Sequence, residues 1–490
     1  MAVSPVPKKA VITPLYLINS IICITLMVAF RWLPPIGGIT PYGMEILGIF
    51  LGSVYGWVFV GFVWPSFLGM LLLGLSDYGS VAQVFGQGFG DSIVLNLLLT
   101  FILFAFINKS GLMQWMANRF VSLKINIGRP WLLTFFFFFI ASYISAITNN
   151  IAVTILLWYL FYGICDKVGY KRGDKYVSFV ICGIVFFATF SIVIFPFLPF
   201  SLVGIGLMKS MVDFGEYSQL GWLISGPLVT LLLIVVYLFI GRFIFKVDIT
   251  KLADKEDRFA DLRTQKMGRS EKVGLYYLLL FLVIIIFPTI LPKTWPITGV
   301  LANLSIIGAC AACFIGICFL KDENGETINK FGDLVASAVN WDMILLMIAT
   351  VPICSAMESS ETGIMTTLMG AVMPVLNSVS PVVFVALIVV FFGVVTQFAH
   401  NLILLLVFGP TLAQLCSSYG IPPIVFCAVF MMVIQTAVAT PGASANSAML
   451  FGNTAWVDSK HAFILGWMFV TAALLLYIFV GLPLNMFFAG

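Results

Sequence analysis

Charge is what this chain has least of. Only 9% of its 490 residues are Asp, Glu, Lys or Arg, against 61% hydrophobic, and the mean hydropathy is +1.09. A soluble chain of this length would cover its core with a charged surface, and the charge for that is missing. Histidine is almost absent too, with His400 and His461 the two copies. That scarcity, with neither HExxH nor GxSxG present, argues against a membrane enzyme, which needs convergent acids, bases or metal ligands. Nine cysteines are scattered through apolar runs. Cys310 and Cys313 have CxxC spacing without a second pair, so they read as small packing residues. No large hydrophilic stretch interrupts the chain, which reads as a single transmembrane domain over 1–490. The net charge of +4 is small, and no nucleic-acid partner is expected.

What the chain does have is apolar runs of about 20 residues, each enough to cross a hydrocarbon core of roughly 30 Å. Spans are expected at 12–33, 41–60, 61–76, 92–108, 177–200 and 220–246, then at 273–291, 297–320, 341–357, 421–452 and 462–488. Two further segments, 130–164 and 381–417, read as re-entrant, and 247–272 as a polar cytoplasmic connector. No small-residue cleavage site follows the first apolar run, so it reads as a retained helix. With the N-terminus in the cytoplasm, all but Arg31, Lys209 and Lys293 of the 25 basic residues fall inside. This positive-inside bias holds only if both re-entrant segments return to the side they entered from. The expected fold is therefore an all-α polytopic membrane protein with about 11 transmembrane helices and two re-entrant helical hairpins, in a cell (inner or plasma) membrane.

An internal repeat supports this reading. Lys109-Ser110-Gly111-Leu112-Met113 is echoed by Glu361-Thr362-Gly363-Ile364-Met365. Pro130 and Pro381 open the two re-entrant runs, 251 residues apart, and Asn150 and Asn401 share that offset. An odd number of crossings between them makes the repeat inverted. Residues 1–246 would hold the first repeat with N-terminal scaffold helices, and 273–490 the second.

The polar residues inside these apolar segments carry the chemistry. The first tip reads Ser142-Tyr-Ile-Ser145-Ala-Ile-Thr148-Asn149-Asn150, and the second Thr396-Gln397-Phe398-Ala399-His400-Asn401. Polar groups at membrane depth are costly unless they pair or line a pathway. Helix N-termini at such a break suit an anion, while carbonyl and side-chain oxygens suit a hard cation such as sodium. The bland alternative is that the asparagines only satisfy frayed backbone. A second break follows each tip, at Phe195-Pro196-Phe-Leu-Pro199 and at Ala439-Thr440-Pro441-Gly442-Ala443-Ser444-Ala445-Asn446. His400 reads as a contact to a carboxylate or as a neutral ring bonded to backbone, and His461 as solvated beside Asp458 and Lys460. Gly86-Gln-Gly88-Phe-Gly90 precedes a span rather than the helix of a βαβ unit, so nucleotide binding is not expected.

At these positions the chain resembles the divalent anion/sodium symporter family of the ion transporter superfamily. That family carries Ser-Asn-Thr at each hairpin tip, with Ser or Thr several residues upstream. Here Ser145 stands five before Asn150 and Thr396 five before Asn401, and Ala439-Thr440-Pro441 resembles the family's later Ala-Thr-Pro element. The resemblance implies a first sodium site at Ser145, Asn149 and Asn150 and a second at Thr396, Ala399, Asn401 and Ala439. It places Asn150, Asn401, Thr440 and Pro441 towards the substrate, a small organic anion, and Asn149 and His400 are expected to bind it beside them. It also implies sodium as coupling ion, a homodimer in the lipid bilayer and an elevator-type mechanism. The chain departs from the pattern at Asn149-Asn150-Ile151, His400-Asn401-Leu402 and Ile194-Phe195-Pro196, where motif hydroxyls and a glycine are missing. The expected activity is sodium-coupled symport of a di- or monocarboxylate, with a cation/proton antiporter or proton-coupled anion carrier as the alternative.

Overall fold

The computed structural model describes residues 13–147, 150–171, 173–215, 219–252, 264, 266–291, 295–320, 331–364, 366, 367, 370 and 380–489. Every regular element among them is helical. Among the described residues, seven helices are long and apolar enough to cross a membrane, or up to eight if one bent pair is a single span. The chain is thus an all-α polytopic membrane protein. Seven more apolar helices run only 10–17 residues. Eleven crossings would require some of these to pair across their breaks.

The chain divides into two compact units. The first comprises Met1–Asp91 and Trp341–Pro374. Its helices Pro14–Ala29 and Pro41–Phe59 approach closely because Gly48, Gly52 and Gly56 present bare backbone at four-residue spacing to Leu26, Met27 and Cys23. Lipid gives no hydrophobic drive between helices, so such small-residue seams let dispersion and backbone contacts hold them. The Cys23 thiol donates to the Gly52 carbonyl at 3.2 Å. Thr40, the N-cap of Pro41–Phe59, receives the returning chain: its amide donates to the Thr362 carbonyl at 2.9 Å and its hydroxyl to the Glu361 carbonyl at 2.8 Å.

The second unit comprises Ser92–Asn340 and Val375–Gly490 and contains both polar tips. Helices begin at Pro130 and Asn150, and again at Pro381 and Asn401. The offset of 251 residues seen in the sequence is therefore reproduced in helix starts. The proline starts follow from ring geometry, since Pro has no amide to leave unpaired in a first turn. The Ser110-Gly111 and Thr362-Gly363 echo is also structural. Each hydroxyl donates to the carbonyl three residues back, at 2.6 and 2.7 Å, and accepts the amide two residues on. Each following glycine has positive φ, +79° and +68°, which an L side chain would resist.

Two short helices, Val81–Phe89 and Leu112–Val121, lie where no span is expected. The first is an α-helix with a Ser80–Gln83 capping box that buries Val84 and Gly88, the latter against Ile348, and it absorbs the Gly86–Gly90 run. His461 differs from its expectation as well. Instead of being solvated, its Nδ1 lies 3.1 Å from the Ser178 hydroxyl and its ring meets Phe245 edge-on.

Helix Leu220–Phe239 braces the first break. The Trp222 indole donates to the Val193 carbonyl at 3.0 Å, and a Cβ on Gly226 would stand 2.0 Å from the Ile194 carbonyl. Gly226→Ala is expected to cost about 1–3 kcal/mol, because backbone on both sides has to shift. A lower melting temperature in detergent would register this, and an unchanged one would show that the break yields freely.

Candidate functional site: two broken-helix tips

The second tip is built around a glutamine. Gln397 is fully buried, just past the C-terminal end of helix Pro381–Val395. Its Nε2 donates to the carbonyls of Gly393 and Thr436, both at 2.9 Å. Its Oε1 accepts the amides of Val438 at 3.1 Å and Ala439 at 2.9 Å. One side chain thus satisfies four backbone groups where two helices stop, which irregular backbone at membrane depth requires. The Gln397 carbonyl accepts the Thr440 hydroxyl, and the Thr396 hydroxyl donates to the Ile434 carbonyl at 2.8 Å. Asn401 opens helix Asn401–Ser418. Its Oδ1 accepts the Leu402 amide at 2.8 Å and its Nδ2 donates to Gln435 Oε1 at 2.9 Å.

The chain breaks after helix Pro423–Ile434 for local reasons. The Thr436 hydroxyl folds back on the Val433 carbonyl, and Pro441 cannot continue a helix. The Ser447 hydroxyl then donates to the Val438 and Thr440 carbonyls. The first half repeats this on a smaller scale, where the Ser191 hydroxyl bonds the Ala188 carbonyl at 2.7 Å ahead of Pro196 and Pro199. The two breaks are linked directly. Buried Asn446 donates from Nδ2 to the Thr189 hydroxyl at 3.0 Å, spanning 257 residues.

The first tip is built differently. Helix Pro130–Phe139 widens into a π-turn at Ile140–Ile144, a distortion often found at functional sites. Ser142 and Ser145 are both fully buried, and neither hydroxyl oxygen has a hydrogen-bond partner. Thr134, Thr154, Thr189 and Thr230 by contrast bond back to a carbonyl four residues earlier, while the Ser20, Ser53, Ser201, Thr298 and Tyr477 hydroxyls are also unpaired; what sets Ser142 and Ser145 apart is their place together at a helix break. Asn150 is half-buried and opens the next helix, with its Oδ1 accepting the Ile151 amide at 2.9 Å. The Tyr143 hydroxyl donates to the Pro227 carbonyl at 2.7 Å, fixing the tip to helix Leu220–Phe239.

Of the expected site residues, the structure joins Thr396, Asn401, Ala439 and Thr440 into one network, and sets Ser145 and Asn150 at the first tip. Ala399 is half-buried beside that network and Pro441 is exposed. His400 is also exposed and N-caps helix Asn401–Ser418, its Nδ1 accepting the Leu402 amide at 3.3 Å. Asn149 lies outside the described residues. Gln397, Gln435 and Thr189 are organising residues that the sequence reading did not single out. The available signal was a polar side chain inside an apolar run. No Asp, Glu, Lys or Arg stands at 140–151, 189–201, 393–402 or 434–448. The described residues contain no group of three or more His, Cys, Asp or Glu able to hold a metal. The site is therefore made of neutral oxygens, amides and helix ends, which suits an alkali cation and an anion better than a transition metal.

Comparison with known proteins places this architecture. A family model described as CitMHS, Citrate transporter, matches residues 49–431. The chain belongs to that family. This CitMHS member is 27% identical over 243 residues to the sodium-dependent dicarboxylate transporter SdcS of Staphylococcus saprophyticus subsp. saprophyticus. The alignment covers 48% of the chain and 45% of that relative, so just under half of each is compared. Its fold resembles the crystal structure of the Alcanivorax borkumensis YdaH transporter, with a TM-score of 0.55 and 15% identity over 82% of this chain and 86% of that one. The chain is thus a member of a family of membrane transporters, and the relatives it resembles are transporters rather than enzymes.

Proposed function

We propose that the protein carries a small organic anion, a di- or monocarboxylate, across a cell membrane together with sodium. The observation that carries this reading is the pair of uncharged tips, one with buried hydroxyl oxygens lacking any protein partner and one clamped by Gln397 beside Asn401. An unpaired buried hydroxyl costs roughly 1–3 kcal/mol. A dehydrated cation held by Ser142, Ser145 and neighbouring carbonyls would recover that cost. At the second tip, the Thr396 hydroxyl and the Asn401 amide oxygen keep spare lone pairs for a second cation. With cations in place, the helix starts at Asn150 and Asn401 present amides and partial positive charge to one carboxylate. Thr440, Pro441 and His400 border this anion position. The sodium-dependent name of the SdcS relative and the resemblance of the tips point the same way.

Segments 130–164 and 381–417 act in this reading as re-entrant hairpins of an inverted repeat, 1–246 against 273–490, joined by the 247–272 connector. They belong to a domain that moves elevator-fashion in a homodimer, with the N-terminus cytoplasmic. Cations raise anion affinity because they organise the tips, and the anion shifts the domain only through differential affinity for its two positions. A cation/proton antiporter would call for a carboxylate at the breaks, and the segments named above have none.

Thermal stability of the purified protein tests this, with sodium against potassium crossed with mono-, di- and tricarboxylates and sulfate. Sodium is expected to raise the melting temperature, and one anion class to raise it further only when sodium is present. At a hundredfold excess over Kd, a single ligand contributes about 2.7 kcal/mol. An anion effect equal in potassium would remove sodium coupling. A response to pH alone would favour the antiporter.

A further inference from the structure

Helix Leu220–Phe239 continues as a π-turn, Ile240–Ile244, and runs beside helix Ser459–Leu476. Between them lies an open groove of about 590 Å³. Val236, Ile240 and Ile244 form one wall, and Trp467, Thr471 and Leu475 the other. Four-residue steps put each trio on one helical face. The only hydroxyl in this lining, on Thr471, is spent on the Trp467 carbonyl at 2.8 Å, so apart from the Trp467 indole N–H the side chains of the walls are apolar. Both helices are candidate membrane spans, so the groove faces a lipid environment rather than water.

One end of the groove is cationic. Lys460 lies seven residues before Trp467 on the same helical face, about 10 Å further along the axis. Lys246 follows Ile244 by two residues, in a left-handed conformation (φ 53°) that turns the chain. The edge-on contact of Phe245 with His461 brings these two ends together. Both lysines are exposed, and neither forms an ion pair among the described residues. Two carboxylates stand close by, Asp458 accepting the Lys460 amide and Asp248 accepting the Thr250 amide and hydroxyl, and Lys175 adds a third cation, its Nζ donating to the Phe245 carbonyl at 3.2 Å, so positive charge is in excess.

We infer that the groove seats one acyl chain of an anionic phospholipid whose phosphate is held by Lys460 and Lys246. The wall from Trp467 to Leu475 runs about 12 Å, most of one leaflet. The position ties the lipid to the transport machinery, because each wall braces one tip. Pro227 on the first helix receives the Tyr143 hydroxyl. On the second helix, Gly466 lies against the backbone of Ala439, where a Cβ would be 2.7 Å away, and Trp467 meets the Phe398 ring. A lipid tail between the walls holds the two braces in register.

The test is a lipid titration of the full-length protein in detergent, read as melting temperature and by native mass spectrometry. Phosphatidylglycerol and phosphatidylcholine with identical chains are compared. Wild type should be stabilised more by phosphatidylglycerol. Lys460→Gln and Lys246→Gln should each weaken that binding about fivefold. Thr471→Trp, which fills the groove, should abolish the response to both lipids, with Leu475→Trp as the substitute if the first variant does not fold. Leu228→Trp, on the exposed face outside the groove, should leave it intact. Equal responses to the two lipids in wild type, or a full phosphatidylglycerol response in the filled-groove variant, would overturn the inference.

Discussion

Gln397→Leu is expected to destabilise the protein by more than about 4 kcal/mol, since it strands four buried backbone groups at roughly 1–3 kcal/mol each. Those groups are the carbonyls of Gly393 and Thr436 and the amides of Val438 and Ala439. Leucine fills similar volume, so the loss isolates hydrogen bonding from packing. Water cannot compensate at a position with no exposure. The purified variant should melt many degrees below wild type or fail to elute as a single species. Gln397→Asn, too short to span both helices, should behave almost as badly. A melting temperature within a degree or two of wild type would mean that the break is held by something other than this side chain.

The second large effect concerns transport rather than stability. Asn401→Ala removes the contact to Gln435 and the cap on Leu402, and Asn150→Ala removes the cap on Ile151. Asn150→Ala loses one modest hydrogen bond, worth about 1 kcal/mol, while Asn401→Ala also strands the buried Gln435 Oε1 at roughly 1–3 kcal/mol. Both variants should therefore fold. Coupled uptake in proteoliposomes is nonetheless expected to fall at least about a hundredfold in each, because in the proposed mechanism the amide oxygen and amide nitrogen serve the cation and the anion together. The decisive pattern is lost uptake in variants that still fold, with the melting temperature nearly unchanged for Asn150→Ala and lowered by a few degrees for Asn401→Ala. Normal uptake in either variant would remove that asparagine from the pathway.

How much of this was legible in the sequence depended on range. The 251-residue offset was readable because prolines and asparagines act locally: Pro130 and Pro381 start helices, as do Asn150 and Asn401. The Ser110-Gly111 echo was readable for the same reason, since its hydrogen bonds stay within three residues. The break at Pro441 followed from the ring itself. The Gln397 clamp was not legible, because its partners lie four residues behind it and about 40 residues ahead. The pairing of Asn446 with Thr189 crosses 257 residues and joins two hydroxyl- and amide-bearing positions that nothing local connects. Helices Val81–Phe89 and Leu112–Val121 were missed because an expectation built on membrane-length runs has no place for short elements. His461 was misread because its neighbours in sequence are charged, while its neighbours in space are Ser178 and Phe245.

The bonds from Thr40 to Glu361 and Thr362 also set a schedule for biosynthesis. The start of helix Pro41–Phe59 waits for a partner made 321 residues later. At about 5–20 residues per second, that delay is on the order of tens of seconds. Throughout it, the amide and hydroxyl of Thr40, half-buried beyond the helix end, lack their final acceptors and are left to water. Nascent chains released before residue 341 could never close this unit. The first helices of the chain therefore reach their final packing only after Trp341–Pro374, well into the second half, has been made.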